Sequence, residues 1–367
     1  MEVDGATRAP VVDWWFAVLG DRWRLARLVT FLAYGVLAVW QYLRGMPWSS
    51  KGLPLEREQL IGWMGVGAAI WSIGRRRAEV LLAIGGFGAL AACFVLYDYT
   101  RGAIDNVWGN PTPVPQSAVT APSQAVLNAR RIVTAERALF FGHLPTVWLQ
   151  DRLYLPSNQH PPKWEVISGL TYLSHFVTVY VIALFMWFRN KQRWLQWVRA
   201  LVTLIVLGVS GYLLFPTAPP WMAAKFNIME ITARPGTRSL KYLHLQFADR
   251  LWNKGQGMVN LVAAMPSLHL AFTVLALVFF WRTSRVWVRV ILIVYPCLML
   301  FTLVYGGEHY VMDCLMGALL AWLAVWLNRW FDAWRQRRSA PQATTAGELS
   351  EELPAVDDAV AGAYSSS

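Results

Sequence analysis

The residues best suited to chemistry lie in one short segment near the end of the apolar sequence, Tyr305–Asp313, which reads YGGEHYVMD. His309 and Asp313 are four residues apart, so on a helix their side chains share one face and can hydrogen-bond. A carboxylate in that position fixes the tautomer of the imidazole and makes one ring nitrogen a better nucleophile. A structural His–Asp hydrogen bond within a helix bundle is the competing interpretation of this pair.

A second segment, Ala264–His269, places a further histidine beside a predicted helix start. Pro266 can open a helix, and Ser267 then presents a hydroxyl next to backbone N–H groups that lack intrahelical partners. Such a helix end favours anions such as phosphate. His269 follows about one turn inside, where it could protonate a leaving oxygen; the alternative is a polar residue that bonds a neighbouring helix.

The composition excludes an ordinary soluble protein. Of the 367 residues, 56% are hydrophobic and only 15% are charged, whereas soluble globular proteins carry about 25% charged residues. The 21 tryptophans and 13 tyrosines suit the headgroup level of a membrane. The net charge of +11 arises from short basic clusters between apolar runs, so nucleic acid is not a predicted partner. Cys93, Cys297 and Cys314 have no metal-ligand spacing.

These features predict an all-α fold, a polytopic transmembrane helix bundle of about eight spans. A spanning helix needs about 20 apolar residues, and eight apolar runs approach or reach that length. The runs lie at about 28–43, 59–74, 80–97, 166–188, 200–224, 255–281, 290–307 and 310–328, the last interrupted only by Asp313.

Basic clusters recur in alternate connections between these runs, and the positive-inside rule therefore predicts a cytoplasmic N-terminus. The segments Ala264–His269 and Tyr305–Asp313 then face the outside, together with a third segment, Phe215–Trp221. Ionisable residues in spans are costly and mark function by default. We therefore expect a site at the outer face of a plasma membrane, or at the lumenal face of an internal membrane if the source is eukaryotic.

The two histidine segments resemble a known pair of signatures. Pro-Ser-Leu-His at 266–269, followed by Gly-Gly-Glu-His-Tyr-Val-Met-Asp at 306–313, resembles the second and third signatures of the type-2 phosphatidic acid phosphatase superfamily. Pro-Thr-Ala-Pro-Pro-Trp at 216–221 is most similar to the inositol phosphorylceramide synthase-like branch. The similarity covers roughly Tyr97–Arg329 and implies a six-helix phosphatase-like core.

The resemblance implies a mechanism for this site. His309 attacks phosphorus to form a phosphohistidine, Asp313 orients His309, His269 protonates the departing oxygen, and Ser267 binds phosphate. Water discharges the intermediate in a phosphatase, and an acceptor hydroxyl does so in a phosphotransferase. Neither a metal ion nor another cofactor is implied.

Three departures from the superfamily's commonest pattern concern the groups around the phosphate. Leu268 stands where Gly is usual, Thr302-Leu303 replaces a Ser-Arg pair, and the Lys-x6-Arg-Pro signature is absent. The cation that neutralises the phosphate is therefore sought elsewhere in the outer loop. Arg234 is the better candidate, and Lys225 is the second, with a solvated loop position as its stronger alternative.

Four regions follow from this interpretation. They are 1–97, N-terminal membrane spans; 98–165, an outer-face amphipathic connection; 166–330, the catalytic membrane core; and 331–367, a disordered cytoplasmic tail. Arginines among apolar residues in Ala125–Leu155 suit interfacial helices, although a helix pair on the soluble side fits equally well. Met1–Asp21 lacks the pattern of a cleavable signal, so we expect the first apolar run to remain as an anchor.

The sequence therefore predicts an integral membrane lipid phosphotransferase or phosphatase. Its predicted partners are a lipid phosphoester, a hydroxyl acceptor and the membrane. The alternative is a transporter or channel in which His175, His269, His309 and Asp313 form a proton or ion path. For His175 alone, a structural bond to a neighbouring helix is the favoured interpretation.

Overall fold

The computed structural model describes residues 22–44, 57–108, 123–155, 160–230, 232–242 and 263–339. Within them the regular structure is helical, apart from one isolated parallel bridge between Thr217 and Ala263. The predicted all-α class is therefore confirmed. In chain order the helices are α1 (Arg22–Arg44), α2 (Arg57–Ser72), α3 (Arg77–Trp108), α4 (Gln124–Leu139), α5 (Pro145–Leu153), α6 (Lys163–Arg189), α7 (Lys191–Leu214), α8 (Pro220–Lys225), α9 (Gly236–Tyr242), α10 (Leu268–Phe280), α11 (Val286–Tyr305) and α12 (Val311–Ser339).

Four helical stretches in the described residues are long and apolar enough to cross a membrane, and α6 makes a fifth if its two halves form one span. Those halves are bent by 52° between His175 and Val177. The four stretches are Arg77–Tyr97, Lys191–Leu214, Val286–Tyr305 and Val311–Arg338. The chain is thus an integral membrane protein, but the predicted number of eight spans is not confirmed.

Two predicted runs have different bounds because polar and proline residues decide where helices begin and end. The run at 200–224 belongs to α7, which starts at Lys191, where the Asn190 side chain accepts a hydrogen bond from the Arg193 N–H at 3.0 Å. That helix ends at Leu214, before the proline-rich 216–221 segment. In the run at 255–281, α10 covers Leu268–Phe280, and residues 255–262 lie outside the described part of the chain.

The other region boundaries can be compared only in part. Residues 1–21, which were predicted to lack a cleavable signal, and residues 340–367, most of the predicted tail, lie outside the described part of the chain. The first apolar run, the predicted anchor, lies in α1. Helix α12 continues past residue 330 to Ser339. The described residues up to Val325 form one compact unit, and a second unit begins at Trp326.

Aromatic packing holds the centre of the first unit together. Trp187, Trp194 and Trp197 are fully buried in a cluster to which α3, α6, α7, α10 and α12 contribute. The rings of Trp187 and Trp194 lie 4.6 Å apart in an edge-to-face arrangement, and Phe87 of α3 packs against both. Such pairs stabilise a bundle beyond the burial of their area alone.

Helices α4 and α5 lie against the ends of the long helices. From α4, the Asn128 amide donates to the Pro216 carbonyl at 2.8 Å, just beyond the end of α7. From α5, the Gln150 amide donates to the carbonyl of Tyr305, the last residue of α11, at 2.6 Å. The helix pair thus fixes the chain segments that carry the candidate residues.

Candidate active site

Helix α10 begins at the second histidine segment. Ser267 is its N-cap, and the serine hydroxyl accepts a hydrogen bond from the Leu270 N–H at 3.4 Å. The Ser267 N–H donates to the Asp313 carbonyl of α12 at 2.9 Å, and the serine is 0% exposed. A Cβ on Gly317 would lie 2.2 Å from the Ser267 carbonyl oxygen. The two histidine segments are therefore joined backbone to backbone.

Leu268 occupies the position where the superfamily usually has glycine, and the neighbouring helix provides the space. A Cβ on Gly208 of α7 would lie only 2.6 Å from the Leu268 side chain. The glycine thus stands on α7 instead of in the motif, and the larger leucine fills the gap. The departure at Leu268 changes which helix carries the small residue.

His309 is held at one ring nitrogen by two acceptors. Its Nδ1 lies 2.9 Å from the Ala264 carbonyl oxygen and 3.4 Å from Asp313 Oδ2, and the imidazole is 5% exposed. A carbonyl and a carboxylate can only accept, so Nδ1 carries the proton and Nε2 keeps its lone pair. Asp313, 0% exposed, also accepts from the Tyr310 N–H at 3.0 Å.

His269 faces the lone pair of His309. The distance between His269 Nδ1 and His309 Nε2 is 3.2 Å, so the His269 N–H donates to the other imidazole. Two rings of α6 pack against His269: Tyr172, with a centroid distance of 5.0 Å, and His175, with a centroid distance of 4.3 Å. Helix α6 therefore fixes the plane of the His269 ring.

The two predicted phosphate cations lie near one tryptophan but differ in exposure. The Arg234 guanidinium is 4.3 Å from the centre of the Trp221 ring, and the Lys225 ammonium is 4.9 Å from it. Lys225 is exposed at the end of α8. Arg234 binds both carboxylate oxygens of Glu308, the residue next to His309, at 2.7 and 2.8 Å. Of the two cations, Arg234 is the one tied to the histidine segment.

The segment that carries Arg234 is attached through a second ion pair. Arg238 Nε donates to Glu165 Oε1 at 2.9 Å, and the Tyr305 hydroxyl donates to the other Glu165 oxygen at 3.0 Å. Glu165 is 1% exposed, so its charge is compensated by partners instead of water. Residues 232–242 are therefore held against the bundle at two glutamates.

The burial of Glu308 affects the pKa of its carboxyl group. Burial raises the pKa of this carboxyl above its ordinary value, while the adjacent Arg234 guanidinium acts to lower it. The main chain beside it is also fixed, because the Trp221 N–H donates to the Gly307 carbonyl at 3.1 Å. The first and third sequence segments therefore meet at this turn.

A small pocket with a cavity volume of about 60 Å³ lies beside His269. Besides His269, its lining contains His175 and three tyrosines, Tyr97, Tyr180 and Tyr212, and the other lining residues are aliphatic or phenylalanine. Concave sites of this kind, mostly apolar with a few polar groups, are typical of small-molecule binding. The pocket places apolar volume directly next to the histidine pair.

Three contacts were not predicted from the sequence: the Ala264 carbonyl on His309, the Arg234–Glu308 pair, and a hydrogen bond from the Met312 N–H to Glu136 of α4. Glu308 could have been singled out because it adjoins His309. Glu136 carries no such signal, since it is a lone acid among the arginines of α4. In the described residues, no group of three or more His, Cys, Asp or Glu side chains could hold a metal ion.

Comparison with known proteins identifies the family. The sequence pattern of the PAP2 superfamily, the type-2 phosphatidic acid phosphatases, matches residues 130–327, more than half of the 367 residues. The chain belongs to the PAP2 superfamily. The predicted family is therefore confirmed, and the match includes both histidine segments and the α4 helix from Arg130 onward.

A curated relative of this PAP2 chain is phosphoinositol dihydroceramide synthase of Bacteroides thetaiotaomicron, 28% identical over 160 residues. The aligned part covers 42% of this chain and 52% of the relative, so the chain spans about half the length of the curated relative it matches. The relative is in keeping with the predicted inositol phosphorylceramide synthase-like branch. The comparison with solved structures found no significant match.

Proposed function

We propose that this PAP2 chain is an integral membrane lipid phosphotransferase that cleaves a lipid phosphoester through a phosphohistidine on His309. The observation that carries the proposal is the state of the His309 ring. Its Nδ1–H is held by the Ala264 carbonyl and Asp313, while Nε2 keeps a lone pair directed at His269. A ring fixed in this way is a nucleophile with a proton donor beside it.

In the first step, His309 Nε2 attacks phosphorus, and the bond between phosphorus and the leaving oxygen breaks. Protonated His269 gives its proton to that oxygen, so the leaving group departs as an alcohol. Asp313 and the Ala264 carbonyl stabilise the positive charge that develops on the His309 imidazole. Phosphorus is then bonded to His309 Nε2, and His269 is neutral.

In the second step, the hydroxyl of an acceptor attacks the phosphorus of the phosphohistidine. Neutral His269 accepts the hydroxyl proton, the phosphorus–nitrogen bond breaks, and both histidines return to their starting states. Arg234 is the proposed cation for the phosphate, with Ser267 and Lys225 as further candidates. Of these, Arg234 has the strongest support because Glu308, its partner, adjoins His309.

Two observations support a lipid substrate and transfer to a hydroxyl acceptor. The pocket beside His269 has an apolar lining within the part of the bundle formed by candidate spans, which suits an acyl chain. The name of the Bacteroides thetaiotaomicron relative is that of a synthase, which favours transfer over hydrolysis. The basic clusters in the sequence support a site at the outer face of the plasma membrane.

A proton path is a second candidate because the four ionisable residues are contiguous. His175 packs on His269, His269 bonds His309, and His309 contacts Asp313. Such a chain could pass protons in a transporter. Family membership favours the enzyme, and a flux measurement on the purified protein in sealed vesicles separates the two candidates.

The test compares the purified wild type with His309→Ala on a panel of radiolabelled lipid phosphoesters, with and without a hydroxyl acceptor, in the presence of a chelator. His143→Ala is the matched control because His143 is exposed at the turn between α4 and α5. We expect labelled transfer product and an acid-labile phosphoprotein from the wild type and the control only. If His309→Ala turned over lipid as fast as the wild type, the mechanism would be refuted. If the wild type moved protons without turning over any lipid, and His309→Ala did not move protons, the proton path would be favoured.

A further inference from the structure

The start of α12 lacks a capping side chain of its own. The helix begins at Val311, and the residue before it is Tyr310, whereas helix starts are usually capped by Ser, Thr, Asp or Asn. Asp313 reaches back to bond the Tyr310 N–H at 3.0 Å. The N–H groups of the following residues still need an acceptor from elsewhere.

Glu136 of α4 supplies that acceptor. Its Oε1 accepts a hydrogen bond from the Met312 N–H at 3.1 Å, and the residue is 1% exposed. A carboxylate at a helix N-terminus is also favoured by the helix dipole. Glu136 therefore takes the role of a capping residue although it lies 176 positions away from Met312 in the sequence.

Helix α4 is a fixed support for this contact. At its other end, the Ala218 N–H donates to the Ala125 carbonyl at 3.2 Å, and the Asn128 amide donates to the Pro216 carbonyl at 2.8 Å. The helix thus connects the 216–221 segment to the first turn of α12. Glu136 is the residue through which α4 bonds that turn.

The turn held by Glu136 carries Asp313, the residue after Met312. Asp313 Oδ2 is already 3.4 Å from His309 Nδ1, near the limit of a useful hydrogen bond. A small rotation or fraying of the first turn of α12 would therefore remove this contact. Met312, which Glu136 bonds, therefore directly precedes the residue whose contact with His309 is at stake.

We propose that Glu136 is a positioning residue for the PAP2 reaction: it caps the first turn of α12 from α4 and so keeps Asp313 facing His309. The inference rests on the proposed function, in which His309 is the nucleophile. Glu136 does not touch the reacting atoms. Its effect passes through the Met312 N–H and the direction of the Asp313 carboxylate.

The kinetic test compares Glu136→Ala and Glu136→Gln with the wild type. Alanine removes the acceptor, whereas glutamine keeps an oxygen that can accept from the Met312 N–H. We expect Glu136→Ala to lower kcat about tenfold with KM within about twofold, and Glu136→Gln to recover most of kcat. The matched control is Glu230→Gln. Glu230 is an exposed glutamate that pairs at 2.8 Å with Arg137, the neighbour of Glu136 on α4.

A second measurement follows amide hydrogen exchange in the peptide that contains Val311 and Met312. Faster exchange in Glu136→Ala than in Glu136→Gln supports the capping contact whether or not a substrate has been found. Unchanged exchange in Glu136→Ala would refute the inference, and so would equal kcat losses in the alanine and glutamine variants. Failure of the proposed function has a different signature, turnover that does not depend on His309.

Discussion

His269 Nδ1 and His309 Nε2 lie 3.2 Å apart, so in this state each catalytic candidate is the hydrogen-bond partner of the other. A phosphoryl group cannot fit between two nitrogens at that distance. Substrate binding must therefore break the contact and separate the rings, while the Ala264 carbonyl keeps His309 Nδ1 in place. The tautomer that the proposed attack on phosphorus requires is already set before substrate arrives.

Replacing the proposed acid should affect substrates according to their leaving group. We expect His269→Ala to lower kcat for an alkyl phosphoester by about 10²- to 10⁴-fold, because the departing alkoxide needs a proton. The p-nitrophenolate group of a p-nitrophenyl phosphoester leaves without a proton, so the loss of kcat with that substrate should be much smaller. Parallel turnover assays with both substrates check this, and equal losses would contradict the role of His269 as acid.

Asp313→Asn should retain measurable activity. The Ala264 carbonyl is closer to His309 Nδ1 than Asp313 is, 2.9 Å against 3.4 Å, and it holds the Nδ1–H tautomer without the carboxylate. What the variant loses is the negative charge opposite the imidazolium. We therefore expect kcat to fall about 10- to 100-fold, a smaller loss than in enzymes where the carboxylate alone sets the tautomer of the histidine. A fall as deep as that of His309→Ala would show that the carbonyl does not suffice. The measurement is steady-state transfer to the acceptor.

The Arg234–Glu308 pair should behave as a unit in stability measurements. Arg234→Gln leaves the buried Glu308 carboxylate without its cation, which we expect to cost about 3 kcal/mol of unfolding free energy. The double variant Arg234→Gln/Glu308→Gln removes both charges and should recover most of that loss. Thermal unfolding in detergent of the two single variants and the double variant checks the coupling; additive losses would contradict it.

A glycine at the backbone contact between α10 and α12 should not tolerate alanine, whereas a glycine with open space beside it should. Gly317→Ala places a methyl group 2.2 Å from the Ser267 carbonyl oxygen, so we expect lower thermal stability and reduced turnover. Gly85→Ala on α3 is the control, since nothing lies within 4 Å of its Cβ position. Alanine there should be neutral or stabilise the helix by up to about 1 kcal/mol.

Stability should fall as pH rises through the titration of Glu136. Burial raises the pKa of this carboxyl to about 7, with the Met312 N–H acting to lower it and Asp313 adding to the rise. Between about pH 4.5, the ordinary value for glutamate, and pH 7, the folded chain holds a proton that the unfolded chain has released. The stabilisation is complete below this window and is lost as pH rises through about 7.

Glu136→Gln should flatten that pH dependence, because the amide does not titrate. The other titratable groups that face Glu136 are Asp313, Tyr310 and Cys314, and they remain in the variant. Thermal unfolding from pH 4.5 to 7.5 checks the slope, with Glu230→Gln as the control. An unchanged slope in Glu136→Gln would assign the dependence to a different group.

The candidate site was largely predictable because its residues are close in sequence. His309 lies two residues before α12 and Asp313 lies in its first turn, only four positions apart in the sequence. Both Ser267 and His269 belong to the other segment, so short local motifs sufficed. The structure brings the side chains of His269, His309 and Asp313 together, and the Ser267 N–H donates to the Asp313 carbonyl. Their catalytic roles stay predictions, and so does the placement of the site at the outer face.

The remaining contacts could not be predicted from periodicity because they join distant parts of the chain. Nothing local to Glu136 indicates that it meets Met312, and the Ala264 carbonyl has no side chain that marks it as a partner of His309. The number of spans is not confirmed for a different reason. Apolar length does not reveal that Pro266 and Ser267 precede the start of α10, which covers Leu268–Phe280, and residues 255–262 of the same run lie outside the described part of the chain.

The two ion pairs of the 232–242 segment also determine how strongly the site attracts an anion from a distance. Arg234 and Arg238 are each matched by a glutamate, so their charges cancel at a distance and give little electrostatic steering. Glu308 and Glu165 are buried, where dissolved ions screen poorly. If the proposed lipid phosphoester is the substrate, it gains little from long-range attraction, and we expect KM to be nearly independent of ionic strength.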